Sequence, residues 1–154
     1  MKIFLSLSAF FTAITFVSAQ GHGTIIVEVD QIENNSGDIK AGLYRDATGF
    51  PDDVSKAYKV STAKIKDGKS VLVFEGVEFG SYVLAAFHDE NGNKQLDKNT
   101  KGVPIEALGM SNNVKLKLGP PKFESALFEL KEPKTTLQLS LQRYRTKPAS
   151  ESPK

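Results

Sequence analysis

Apolar side chains recur at every second position along most of this chain, and that period commits it to β-strands rather than helices. In residues 23–30, Ile25, Val27 and Val29 fall on one face, with Thr24, Glu28 and Asp30 on the other. Residues 38–45 repeat the form with Ile39, Ala41 and Leu43. Between these runs lies the turn cluster Glu33-Asn34-Asn35-Ser36-Gly37, so the two are expected to form a hairpin. Residues 71–74 form a further run after the turn Lys66-Asp67-Gly68-Lys69, and residues 58–65 are expected to pair with it. Residues 82–87 are apolar at both odd and even positions, as in a central strand covered on both faces.

The last third alternates most cleanly. Val114, Leu116 and Leu118 are interleaved with Lys115 and Lys117, and Leu137, Leu139 and Leu141 with Gln138, Ser140 and Gln142. Residues 123–130 lie between them, set off by Gly119-Pro120-Pro121 and Pro133. Short strands separated by turn residues predict an all-β chain, an antiparallel β-sandwich of about seven to eight strands, with a small barrel as the alternative. One segment departs from this pattern. In residues 49–57, Pro51-Asp52-Asp53 is placed to open a short helical turn.

Residues 1–19 have the parts of a cleavable secretory signal. Lys2 is followed by an apolar stretch from Ile3 to Val17, and Val17-Ser18-Ala19 supplies the small residues of a cleavage site before Gln20. The stretch is shorter than the ~20 residues that span a bilayer. The expected organisation is a signal peptide over 1–19, a single β-sandwich domain over 20–145 and a disordered polar tail over 146–154. The mature chain is expected to be exported to the periplasm or the exterior, without a membrane span and as a monomer. Loss of Lys2 takes the formal charge from +2 to about +1, too balanced for a nucleic-acid binder. There is no cysteine, so neither disulfides nor thiolate chemistry are available, and stability must come from packing.

One loop has the residues that cation chemistry would need. After residues 82–87 comes His88-Asp89-Glu90-Asn91-Gly92-Asn93-Lys94-Gln95-Leu96-Asp97. Asp89, Asn91, Asn93 and Asp97 stand at relative positions 1, 3, 5 and 9, and Gln95 at position 7 can add its backbone carbonyl. Hard cations such as Ca²⁺ take six to eight oxygen ligands, which a short loop with oxygen side chains at alternate positions can curl inward. Position 6 is Lys94 rather than Gly, position 12 is Thr100 rather than Glu, and no amphipathic helices flank the loop, so it is not a helix-loop-helix calcium site. The competing reading is an Asp/Asn/Gly turn that bonds its own backbone and binds nothing.

Other candidates are weaker. His88 beside Asp89 could serve as a base, but a buried histidine making one hydrogen bond is the plainer reading. Ser111 lacks the Gly-x-Ser-x-Gly elbow of a nucleophile. A cut after Ala19 would expose Gln20-Gly21-His22, an amine, two amides and an imidazole at the spacing of a square-planar Cu²⁺ or Ni²⁺ site. No catalytic constellation emerges, and the chain is expected not to be an enzyme.

The string 74–104, FEGVEFGSYVLAAFHDENGNKQLDKNTKGVP, followed by EALGMSNN and GPPKFESALF, resembles the domain of unknown function 2141 family. That resemblance implies an exported bacterial protein with a prealbumin-like β-sandwich, similar to Cna-B and carboxypeptidase-regulatory-like domains, and no assigned activity. Phe79-Gly80-Ser81-Tyr82 stands where the family usually has Pro-Gly-Thr-Tyr. The functional expectation is a non-enzymatic binding or structural module, its loop at 89–97 tied by Ca²⁺, its partner an envelope protein or glycan. The alternative is a carbohydrate- or peptide-binding sandwich without metal, with Tyr44, Phe50 and Tyr58 as a stacking surface.

Overall fold

Nearly every alternating run becomes a strand whose apolar members face the space between two sheets. The structure, a computed structural model, describes residues 21–144 apart from 118 and 120. The proposed signal at 1–19 and the polar tail at 146–154 lie outside the described residues. The strands are β1 (His22–Asp30), β2 (Asp38–Tyr44), β3 (Lys59–Lys64), β4 (Ser70–Glu78), β5 (Gly80–Asp89), β6 (Leu108–Met110), β7 (Phe128–Leu130) and β8 (Lys134–Ser140). Short 3-10 turns occupy Val54–Lys56, Ser111–Asn113 and Phe123–Ala126. One sheet has the order β4-β1-β8; the other has β3-β2-β5-β6, with β7 also on β5.

The core lies between the sheets. Ile25, Val27 and Val29 of β1 and Leu72, Phe74 and Val77 of β4 meet Ile39, Ala41 and Leu43 of β2 and Leu84 and Ala86 of β5. Each such large apolar side chain contributes about 1.5–3 kcal/mol on burial. As expected, β5 is covered on both faces. Its outward Val83 and Ala85 pack with Tyr44, Met110 and Ala126, and its Phe87 packs with Leu96 and Leu108.

The pairing differs from the expected hairpins. β1 and β2 belong to opposite sheets, because β1 already uses one edge for β4, antiparallel, and the other for β8, parallel. The connection between them crosses the sandwich, with Ile32 buried in the core on the way. The β1–β8 pair makes the sandwich mixed rather than wholly antiparallel. β3 and β4 are joined by the expected tight turn. Asp67 and Gly68 both take positive φ (53° and 70°), as a type I′ turn requires, and Lys66 and Lys69 exchange both backbone hydrogen bonds. Beyond that turn the strands diverge, β3 to β2 and β4 to β1.

Residues 114–117 form no strand despite their alternation; Leu118 lies outside the described residues. The edge of β8 they would need is taken by side chains. Asn113 receives the Ser140 N–H at 2.8 Å and donates to the Gln138 carbonyl at 3.1 Å, while Gln142 donates to the Val114 carbonyl at 3.2 Å. Val114 and Leu116 are still half-buried, on the outer face of β5. Residues 123–130 divide into a 3-10 turn and the three-residue β7. The helical turn expected near Pro51 begins at Val54, where Asp53 caps it by accepting the Ser55 N–H at 3.1 Å.

Candidate functional site

β5 delivers His88 and Asp89, both 0% exposed, to the end of the sheet. The chain then leaves through Glu90 and turns over Asn91–Gln95. Gly92 and Lys94 both take positive φ, 75° and 67°, so position 6 adopts the left-handed backbone although it is not glycine. Leu96 re-enters the outer core against Phe87 and Leu108.

Local hydrogen bonds shape the turn. Asn91 Oδ1 accepts the Asn93 N–H at 3.0 Å, and Asn93 Oδ1 accepts the Gln95 N–H at 2.8 Å. Such closures are the usual behaviour of Asn in loops. Asp89 Oδ2 accepts the Lys94 N–H at 3.0 Å, which turns the Asp89 carboxylate toward the loop. Asn91 and Asn93 each donate a side-chain amide hydrogen to Asp97, to Oδ2 at 2.7 Å and Oδ1 at 2.8 Å. Asn91, Asn93 and Asp97 are therefore brought together, and Asp89 is joined to them only through the Lys94 backbone. Gln95 joins only through its N–H, with its side chain exposed.

Two residues that sequence patterning misses hold the loop's base. Glu106, 4% exposed, accepts the Glu90 N–H on Oε1 and the Asp97 N–H on Oε2, each at 3.0 Å, and so fixes the separation of the loop's two ends. Arg143 bonds Glu33 at 2.7 Å, and also Glu90 and the Ile105 carbonyl. Burial opposes the Glu90 charge, but the Arg143 and Asn34 hydrogen bonds outweigh it and hold that carboxyl below its ordinary range. No spacing motif links residues 33, 90, 106 and 143.

Asp89 Oδ1 is buried and has no hydrogen-bond partner. A carboxylate oxygen there demands a donor or a cation, since burying it unmatched is unfavourable. Among the described residues no group of three or more His, Cys, Asp or Glu is placed to hold a metal ion. The donors gathered at the loop are largely amide oxygens, which suit a hard cation. Each Asn Oδ1 spends one lone pair on a backbone N–H and keeps a second, while the Asn NH2 groups face Asp97. The loop's side chains carry the oxygen chemistry that a hard cation such as Ca²⁺ takes.

The remaining candidates have other neighbours. His88 Nε2 lies 2.6 Å from the Ser36 carbonyl and must donate to it; Nδ1 has no hydrogen-bond partner and is 3.9 Å from Glu90 Oε1. His22 begins β1, exposed and in register with Glu78, and Gln20 lies outside the described residues. The suggested stacking surface is not formed. Tyr44 is 1% exposed, Phe50 stands edge-on between Tyr44 and Phe123, and Tyr58 stacks on Tyr82 beneath Arg45.

Ser111 is buried, with both hydrogen-bonding roles in use. Its Oγ accepts the Leu84 N–H at 3.0 Å and donates 2.5 Å to the Ala126 carbonyl, tying β5 to the turn before β7. Ser111→Ala leaves a buried N–H without an acceptor and is expected to lower unfolding free energy by about 1–3 kcal/mol. Urea denaturation measures this, and a loss under about 0.5 kcal/mol would contradict the assignment.

No curated protein and no solved structure matches the chain. A family model described as "Uncharacterized protein conserved in bacteria (DUF2141)" matches residues 27–138, a span that holds the whole 89–97 loop, Glu106 and most of both sheets. With most of its length matched, the chain belongs to the DUF2141 family.

Proposed function

We propose that the protein works outside the cytoplasm as a non-enzymatic binding or structural module whose loop at 89–97 is tied by Ca²⁺. The observation that carries the metal reading is the buried, unpartnered Oδ1 of Asp89, whose other oxygen accepts the Lys94 N–H of the loop. The signal-like pattern of residues 1–19 supports the compartment, and an exterior compartment can offer the millimolar Ca²⁺ that a weak site needs. With few carboxylates, affinity belongs in the ~0.1–1 mM range of extracellular modules.

The cation would join β5 to the segment that carries Asp97, two stretches already tied through Glu106. Binding to the folded state alone stabilises it by mass action. Free Ca²⁺ at tenfold the Kd should add about 1.4 kcal/mol and raise Tm by roughly 4–8 °C. Asp97→Ala should abolish the rise, because it removes the half-buried carboxylate of the set while leaving the sandwich core intact. The measurements are melting curves and calorimetric titration with CaCl₂ on chelator-treated protein. An unchanged Tm together with no heat of binding refutes the metal reading.

A further inference from the structure

Lys40 faces the same buried carboxylate that the proposed Ca²⁺ would bind. It lies on β2 between the inward-facing Ile39 and Ala41, in register with Phe87, so its side chain runs along the outer face of the five-stranded sheet. Its Nζ is 3.7 Å from Oδ2 of Asp89, and the side chain is only 15% exposed. The other charges nearby are engaged elsewhere. Asp38, in register with Asp89, pairs with Lys64 at 2.7 Å, and Glu90 pairs with Arg143. Among the described residues, Lys40 supplies the positive charge that faces Asp89.

Two features make this an interchangeable contact rather than a fixed one. The 3.7 Å separation exceeds the 2.7–3.2 Å of a formed N–H···O bond, so the ammonium neutralises the carboxylate without being locked to it. Its strongly hydrated head on a flexible four-carbon stem can also swing outward into water. Asp89 Oδ1 meanwhile is left without a partner, so Lys40 satisfies the charge of the carboxylate but not its full acceptor capacity.

We propose that Lys40 is a tethered counter-cation that holds the metal-free loop together and sets the threshold for Ca²⁺ by competing for Asp89; this rests on the Ca²⁺ reading above. A metal-free loop without Lys40 would leave a fully buried carboxylate uncompensated, which is strongly unfavourable. A loaded loop with Lys40 in place would bring an ammonium and a divalent ion to one carboxylate. At about 4 Å each unit-charge pair interacts strongly even at the effective dielectric of a protein surface. Lys40 therefore gives up its position on loading, and the observed affinity is the intrinsic one reduced by that exchange.

The test replaces the charge and keeps the stem. Chelator-treated Lys40→Met protein is compared with wild type by calorimetric titration with CaCl₂ and by melting with and without the ion. Lys40→Met is expected to bind Ca²⁺ at least ~10-fold more tightly, to melt lower than wild type without Ca²⁺, and to recover most of that loss with it. Lys40→Arg, which retains the charge, should bind within about threefold of wild type. Lys40→Gln serves the same comparison should the Met variant not fold, with the same tighter binding expected. If wild type binds and the neutral variants bind equally or more weakly, the counter-cation role is overturned and the Ca²⁺ loop stands. If neither wild type nor neutral variant binds, both fall. Binding by the neutral variant alone supports the competition and refutes Ca²⁺ loading of the native loop.

Discussion

Gly37→Ala is expected to be among the most damaging single substitutions in this protein, lowering unfolding free energy by about 2–5 kcal/mol. Gly37 ends the connection between β1 and β2 with φ +69°, in the left-handed region that disfavours any side chain. A Cβ built there would stand 1.9 Å from the carbonyl oxygen of Asp89 and 2.9 Å from its carbonyl carbon. That neighbour is backbone at the end of the central strand, so no side-chain rotation relieves the clash. Either the connection or the end of β5 must move, and the second choice displaces the base of the loop. Gly92→Ala separates the two contributions: it too has positive φ (75°), but a Cβ there meets nothing within 4 Å. It should therefore show backbone strain alone, roughly 1–2 kcal/mol. Urea denaturation of both variants checks this, and equal losses at the two positions would show that the contact with Asp89 is unimportant.

Gly37 also marks how far local pattern reaches. The turn cluster it belongs to is plain in the sequence, and so are the alternation that makes β1, β2 and β8 and the continuous apolar runs of β4 and β5. What alternation cannot convey is which edges meet. β1 and β2 look like hairpin partners because they are consecutive, yet β8, more than a hundred residues later, takes one edge of β1 in parallel and β4 takes the other. Val114 and Leu116 show the converse. Their period correctly places both toward apolar neighbours, but side chains of Asn113 and Gln142 occupy the edge that pairing would need. Period reports a face and says nothing about the availability of hydrogen-bonding partners.

The loop divides along the same line. Its Asx closures span two residues, so the clustering of Asn91, Asn93 and Asp97 is a local property of their spacing. Lys40, Glu106 and Arg143 come from β2, from the segment before β6 and from the chain after β8, and only the tertiary fold brings them to the loop. Of these, Lys40 occupies the polar position between Ile39 and Ala41 of an alternating strand. Its importance comes from being largely covered and close to a carboxylate that is wholly buried.

Glu106 is expected to show the second large effect. Its two oxygens accept one N–H at each end of the loop, and the residue is almost fully buried. Glu106→Ala leaves the Glu90 and Asp97 N–H groups without that acceptor, at about 1–3 kcal/mol each, for a total loss of about 2–6 kcal/mol. Glu106→Gln keeps one acceptor oxygen and should lose roughly half as much. The same pair bears on the proposed Ca²⁺ site. Glu106 does not need to touch the ion to matter, since it holds Asp97 at a set distance from Asp89. In the Gln variant, which should still fold, calcium affinity is therefore expected to fall several-fold even though no ligand has been removed. Calorimetric titration beside urea denaturation measures both effects. A Gln variant that loses stability and binds Ca²⁺ as well as wild type would confine Glu106 to the fold, and a stable Ala variant would show that water can replace the carboxylate at the loop's base.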